Sequence, residues 1–263
     1  MTTTGPRTSP LMIACDIDGT LLRTGHLPTT AVQAAIYTVL GAGHHVVLAT
    51  GRSVKGAVTA ALQLGLDDTW IVASNGAVTV HLRGEHYQVV EEHTVDTLTV
   101  VDVALKEAAA VRVAGEIVGT GWRVSAPFPD HELNGAQRQA PIGEFLVNPT
   151  PRIALHGPGA HQMVPALVAR DLTAIATRLD WVDVTPPRIS KASALEKVRK
   201  GLGVEPGRTV AIGDGENDLE MFRWASHDFA MGHAAPFVVE AATYSTGSID
   251  DDGAATVLRS LLN

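Results

Sequence analysis

The stretch LMIACDIDGTLL, residues 11–22, decides how this chain is read. It begins as an apolar run suited to a buried strand, then delivers two acids, Asp16 and Asp18, into a glycine turn. A single acid there would serve as a helix cap or a turn residue. Two acids two residues apart face the same side of the chain while the backbone stays extended. That pairing points to a metal ion, a phosphoryl group, or both.

Outward from this strand, the chain alternates. TTAVQAAIYTVLGAG (29–43) predicts a helix ending at glycines, HHVVLATG (44–51) a second strand, SVKGAVTAALQLGL (53–66) a second helix, and TWIVASNGA (69–77) a third strand. Short apolar strands separated by helices predict a parallel sheet covered on both faces. Between residues 84 and 185 the character changes. HYQVVEEHTV (86–95), RVAGEIVG (112–119), WRVSAP (122–127), GEFLVNP (143–149) and PRIALHG (151–157) read as strands of a partly solvated sheet. Helices are expected over 95–110 and over AHQMVPALVARDLTAIATRLD (160–180). The alternation then resumes with KASALEKVRKGLG (191–203), TVAIGDG (209–215), DLEMFRWAS (218–226), HDFAMG (227–232) and GAATVLRSLLN (253–263). The expected plan is a core domain at 10–83 and 186–263, interrupted by an inserted α+β unit at 84–185. The polar residues 1–9 are expected to be a disordered N-terminus.

At 263 residues the chain can bury a sizeable core. With 45% hydrophobic residues, 18% charged residues and a formal net charge of −8, it lacks the basic footprint of a nucleic-acid or anionic-membrane binder. The single cysteine, Cys15, rules out an internal disulfide and fits a reducing cytoplasm. No run approaches the ~18 uncharged apolar residues of a membrane span. Nothing in the pattern specifies an oligomer.

Four expected strand ends carry polar signals: CDIDGT, LATGRS, SNGA and IGDGEND. In an open α/β sheet the ligand crevice lies at the carboxyl ends of the strands, so these motifs should converge. Taken together they resemble the haloacid dehalogenase (HAD) superfamily of phosphotransferases, and within it the Cof-type phosphatases. The likeness is strongest at residues 11–25, 46–53, 189–195 and 210–235. It implies a Rossmann-like core and a magnesium-dependent phosphatase.

On that resemblance Asp16 is the nucleophile that forms an aspartyl-phosphate, and Asp18 is the general acid/base. Asp18's role calls for acidic neighbours that keep it partly protonated. Mg2+ is expected on Asp16, Asp214 and the backbone carbonyl of Asp18, a ligand set suited to a hard cation that keeps several waters. Thr50, Gly51, Arg52, Lys191 and Asn217 match positions that contact the substrate phosphate, with Asp218 and Asn75 in support. Lys191 is also unusual by local physics. Ser190 reads as the N-cap of a helix, and a cation in the first turn opposes the helix dipole unless an anion sits there too. Glu216 reads as a capping acid, the IDDDG turn (249–253) as an N-cap, and Trp122, Phe128 and Trp181 as core.

Only 32 positions separate Asp18 from Thr50, whereas 141 separate Thr50 from Lys191, so the insert falls in the second gap. The resemblance makes it a C2-type cap that covers the crevice and reads the part of the substrate away from phosphate, with His131, Glu132 and Arg123 as candidates. The substrate expected is a small phosphorylated metabolite, a sugar phosphate first. The alternatives are a phosphomutase of the same superfamily and a non-catalytic phospho-aspartate receiver-like module. The ~120-residue size of a receiver leaves no room for the insert.

Overall fold

The computed structural model describes residues 9–23, 25–107 and 110–262, so all of the expected disordered terminus but Ser9 lies outside the described residues. The strands in chain order are β1 (Met12–Cys15), β2 (His45–Ala49), β3 (Asp68–Ala73), β4 (Val78–Arg83), β5 (His86–Glu92), β6 (Arg112–Ile117), β7 (Gly121–Val124), β8 (Ala136–Gln139), β9 (Ile153–His156), β10 (Thr173–Arg178), β11 (Trp181–Thr185), β12 (Thr209–Gly213), β13 (His227–Ala230) and β14 (Tyr244–Ser245). The helices are α1 (Thr30–Gly41), α2 (Val54–Gln63), α3 (Thr97–Glu107), α4 (Ile142–Val147), α5 (Val164–Val168), α6 (Lys191–Leu202), α7 (Leu219–Trp224), α8 (Pro236–Ala241) and α9 (Gly253–Ser260).

Two sheets result. The larger has the order β14-β13-β12-β1-β2-β3-β4-β5, parallel from β14 to β3 and antiparallel at β4 and β5. The smaller, β10-β11-β9-β6-β7-β8, belongs to the inserted unit. In β1 every residue is buried, because the strand is covered on both faces. Ile13, Cys15 and Ile17 pack toward α1, α2 and α9, while Met12 and Ala14 pack with Ala194, Leu195 and Val198 of α6. Period-two alternation therefore puts Asp16, the next residue on the second side, toward the start of α6. The chain leaves β1 toward β2 and β3 on one side and toward β12 and β13 on the other. This makes the end of β1 a topological switch point, where an α/β sheet opens a crevice.

The insert departs from several sequence expectations. The segment HYQVVEEHTV forms β5, but it pairs with β4 and extends the larger sheet to Glu92, past the crossing expected near Gly84. GEFLVNP is helix, not strand. Pro141 opens α4, and Phe145 is its one buried side chain, so burial of a single aromatic outweighs the β-branched signal. The long helix expected over 160–180 stops early, at α5. Asp171 adopts a left-handed backbone at φ 60, and the alternating run TAIATR becomes β10. Asp252 does precede α9, but its carboxylate accepts from Thr29 Oγ1 at 2.6 Å and makes no cap hydrogen bond. Helices α3 and α5 cover one face of the smaller sheet. The other face carries Trp122, Phe128, Leu133 and Trp181.

Candidate active site

Parallel register brings the strand ends together. Cys15 lies beside Leu48 and Ile212, so the residues that follow β1, β2 and β12 emerge side by side. They open into a crevice of 1160 Å³ between the large sheet and the insert, lined by Asp16, Asp18, Thr50, Gly51, Arg52, Asp214 and Asn217 among others.

Asp16 is 6% exposed and Lys191 1%, although one is a carboxylate and the other an ammonium. Lys191 Nζ donates to Asp16 Oδ1 at 2.6 Å and to Asp218 Oδ1 at 2.7 Å. Ser190 caps α6 through a reciprocal pair with Ser193, which holds Lys191 in the first turn. The local conflict noted in the sequence is thus resolved by two anions meeting the lysine at the helix terminus. Burial pulls the Lys191 ammonium down, but the Asp16 and Asp218 carboxylates outweigh it and hold it above the usual lysine value. Asp218 also accepts from the backbone N–H groups of Asp214 and Gly215 at 3.0 and 2.9 Å. It therefore shapes the loop that presents Asp214.

Carboxylate oxygens of Asp16, Asp214 and Asp218 all lie within 4.8 Å of one another. Burial pushes the Asp16 carboxyl well above its ordinary range, against the attraction of Lys191, and the neighbouring Asp218 and Asp214 charges add to the rise. Burial also raises Asp214, to about 6, with Asp218 contributing and the Thr20 hydroxyl opposing. Three acids facing one ammonium in a buried site is a donor set with surplus negative charge, which a divalent cation would offset. Both Asp218 oxygens are already engaged by donors, so Asp16 and Asp214 are the carboxylates left to hold such an ion. Thr20 Oγ1 donates to Asp214 Oδ1 at 3.1 Å and steadies it. Gly19, at φ +80, passes so close that an added methyl would overlap the Asp214 carboxylate.

Asp18 is held differently. Arg52 donates to it through Nε at 2.7 Å and a terminal nitrogen at 2.6 Å, a bidentate pair. The partner that grips Asp18 is thus a guanidinium where acidic neighbours were expected, and Arg52 makes this pair from the crevice wall. Thr50, 1% exposed, accepts from Arg52 N–H at 3.1 Å, which leaves its hydroxyl proton for another acceptor. Gly51 lies between them on the crevice wall. Asn217 Nδ2 donates to Asn75 Oδ1 at 2.9 Å. Asn75 belongs to a turn in which Ser74, Asn75 and Gly76 all have left-handed backbones, a costly run that marks a constrained site. Gly76 is needed there because a Cβ would overlap the carbonyl of Ser190 at the α6 cap.

The insert supplies the opposite wall, with Asp130, His131, Glu132, Arg152, Arg178, Trp181 and Asp183 among its residues. His131 and Glu132 reach the crevice, as expected of cap loops. Arg123 does not, because it lies on β7 with its guanidinium toward Phe145. Trp181 is buried yet lines the crevice, more than a core residue alone. Sequence reasoning passed over Thr20, Arg152, Asp183 and Glu116. The usable signal for the last three was a charge set within an apolar strand, as in RVAGEIVG, PRIALHG and WVDVT.

The geometry has counterparts. The family model for haloacid dehalogenase-like hydrolases matches residues 13–111 and 160–258. The 5-amino-6-(5-phospho-D-ribitylamino)uracil phosphatase YitU of Bacillus subtilis (strain 168) is 26% identical over 268 residues, covering 96% of this chain and 97% of the relative. Among solved structures, BT1666 from Bacteroides thetaiotaomicron superposes with a TM-score of 0.82 at 23% identity, over 99% of this chain and 97% of that one. The HAD subclass IIB sugar phosphatase BT4131 superposes with a TM-score of 0.79 at 22% identity, over 95% and 98%. With three quarters of its length matched by the family model, the chain belongs to the haloacid dehalogenase-like hydrolases, as a Cof-type phosphatase.

Proposed function

We propose that this phosphatase hydrolyses the phosphate monoester of a small polyhydroxylated metabolite, a sugar or sugar-alcohol phosphate, with magnesium and through an aspartyl-phosphate on Asp16. The observation that carries the reading is the contrast between two acids on one crevice wall. Asp16 is gripped by the buried Lys191 ammonium, and Asp18 by the Arg52 guanidinium.

In this reading an Asp16 carboxylate oxygen attacks phosphorus while the bond from phosphorus to the ester oxygen breaks, and Asp18, protonated on one oxygen while Arg52 keeps the other, gives that proton to the departing oxygen. Asp18, now a carboxylate, then takes a proton from water as that water attacks phosphorus. Inorganic phosphate leaves and Asp16 is regenerated. Lys191 holds Asp16 in line and neutralises part of the charge, while the Thr50 hydroxyl donates to a phosphoryl oxygen. A magnesium ion on Asp16 and Asp214 would screen the anionic nucleophile from the anionic substrate and stabilise charge on the transferring group.

The wall away from phosphate supports a hydroxyl-rich leaving group. Asn134, Gln137, Thr177 and Asp183 line it, and Asp183 Oδ1 is fixed by Arg152 and by Trp181 Nε1, each at 3.3 Å. A carboxylate oriented in this way suits a hydroxyl donor. The relatives are named for a ribityl phosphate and a sugar phosphate, which share that chemistry.

A panel of phosphorylated sugars and polyols, read by free phosphate with magnesium and with EDTA, tests the proposal. Release should need magnesium and vanish in Asp18→Asn. Conversion to an isomer without free phosphate would make the protein a phosphomutase, and full release in EDTA would contradict the site.

A further inference from the structure

We infer that Glu116 is a positioning residue through which the inserted unit holds Arg52, and with it Asp18, in place for proton transfer. This rests on the proposed role of Asp18. Glu116 lies in β6 and is 2% exposed. Its carboxylate reaches out of the insert into the large domain. One oxygen accepts from the backbone N–H of Val54 at 3.1 Å, and the other from Ser74 Oγ at 2.6 Å.

Both partners belong to the loops that carry the site. Val54 opens α2, a helix with no acid in its own first turn and with Lys55 there instead. Glu116 therefore supplies, from 62 residues away, the negative charge that a helix N-terminus favours. Ser74 belongs to the left-handed turn, and its backbone N–H donates to the Arg52 carbonyl at 2.8 Å. Asn75 N–H donates to the Thr50 carbonyl at 3.0 Å. Glu116 thus clamps Val54, two residues after Arg52, and Ser74, whose N–H holds the Arg52 carbonyl, while Arg52 grips Asp18 with two hydrogen bonds.

On its other side Glu116 faces the substrate wall. Arg152 Nε lies 3.7 Å from it, and Arg152 also bonds Asp183 at 3.3 Å and lines the crevice. Glu116 N–H donates to the Arg152 carbonyl at 3.0 Å, so the two residues are joined through the backbone as well as through their side chains. A leaving group seated against Arg152 and Asp183 is in this way linked, through Glu116 and Arg52, to the acid that must protonate it. Burial pushes the Glu116 carboxyl above the usual range, with Arg152, Ser74 and Val54 pulling it back.

The test separates positioning from bracing by leaving-group chemistry. A misplaced Asp18 should harm an ester with a poor leaving group more than one whose phenolate departs with little protonation. Wild type, Glu116→Gln, Ser74→Ala, Asp18→Asn and the Glu116→Gln/Asp18→Asn double variant would be assayed with magnesium in single turnover, by the phenol released from phenyl phosphate and p-nitrophenyl phosphate, which reads the first transfer even where phosphate turnover is lost. Thermal unfolding and hydrogen exchange over residues 50–56 would be read on the same proteins. Glu116→Gln should lose about tenfold more kcat/KM on phenyl phosphate than on p-nitrophenyl phosphate. It should exchange faster over 50–56, and it should add no further selectivity in the double variant. Ser74→Ala should move the same way by less. Equal losses on both esters, or unchanged exchange over 50–56, would overturn the inference. If Asp18→Asn itself shows no leaving-group selectivity, the reading of Asp18 is what fails, whereas a selective Asp18→Asn beside an unselective Glu116→Gln sinks the Glu116 role alone.

Discussion

Replacing Lys191 with Met removes the one ammonium from a site that holds three carboxylates. The side chain is fully withdrawn from solvent, and its nitrogen lies 2.6 Å from Asp16 and 2.7 Å from Asp218. At an effective dielectric constant near 20, each contact contributes about 6 kcal/mol of attraction. Taking the ammonium out of water offsets several kcal/mol of that sum, a cost that methionine escapes. Breaking one side of a buried pair usually costs about 3–5 kcal/mol, because the other charge stays behind. Proton uptake by the crowded acids relieves part of the load, since Asp214 already sits at about 6. The expected loss is therefore near the lower end, about 3 kcal/mol, or a fall of about 6–12 °C in Tm for a chain of this size. Urea unfolding at pH 8 in EDTA measures it. Millimolar magnesium chloride should then restore more stability to the variant than to wild type, because the cation takes over the missing positive charge. A Lys191→Met protein as stable as wild type in EDTA would refute the reasoning. It would mean that burying the lysine costs as much as its two contacts return.

Three further substitutions, one of them a control, probe the loop and the wall. Gly19→Ala meets a left-handed backbone and the Asp214 carboxylate, so it should lose about 2–4 kcal/mol in urea unfolding along with most activity, whereas Gly41→Ala, with open space around it, should be neutral or stabilising. Asp183→Asn should raise KM about tenfold for a polyol phosphate while leaving kcat/KM on p-nitrophenyl phosphate within about twofold. An equal loss on both would remove Asp183 from substrate reading.

The core was legible because its signals are local. β1, β2, β3 and β12 are short apolar runs that end in polar turns, and a parallel sheet collects such ends at one edge. The cap at Ser190 showed in advance that Lys191 needs an anion beside it, the resemblance placed it at the phosphate site with the nucleophile, and the fold supplies Asp16 as that anion. The insert was less legible. Its elements are four to seven residues long apart from α3, too short for periodicity to separate strand from helix, so α4 was read as a strand and β10 as helix. β5 shows the same limit in another form. Its strand character is in the sequence, but an exposed alternating run can join either sheet, and only pairing with β4 decides which.

For this protein, chain order and residue type alone determined the sheet class, the presence of an insert between Thr50 and Lys191, and the acids and lysine that meet at the strand ends. Tertiary structure decided which charge faces which. Arg52 pairs with Asp18 on the crevice wall, Arg123 turns away from the crevice, and Glu116 crosses from the insert to brace the loops at the strand ends. The reason is physical. Backbone period fixes the side of a strand on which a side chain leaves, but the partner of a long charged group depends on which segments, distant in sequence, close around it and on how little water they leave there.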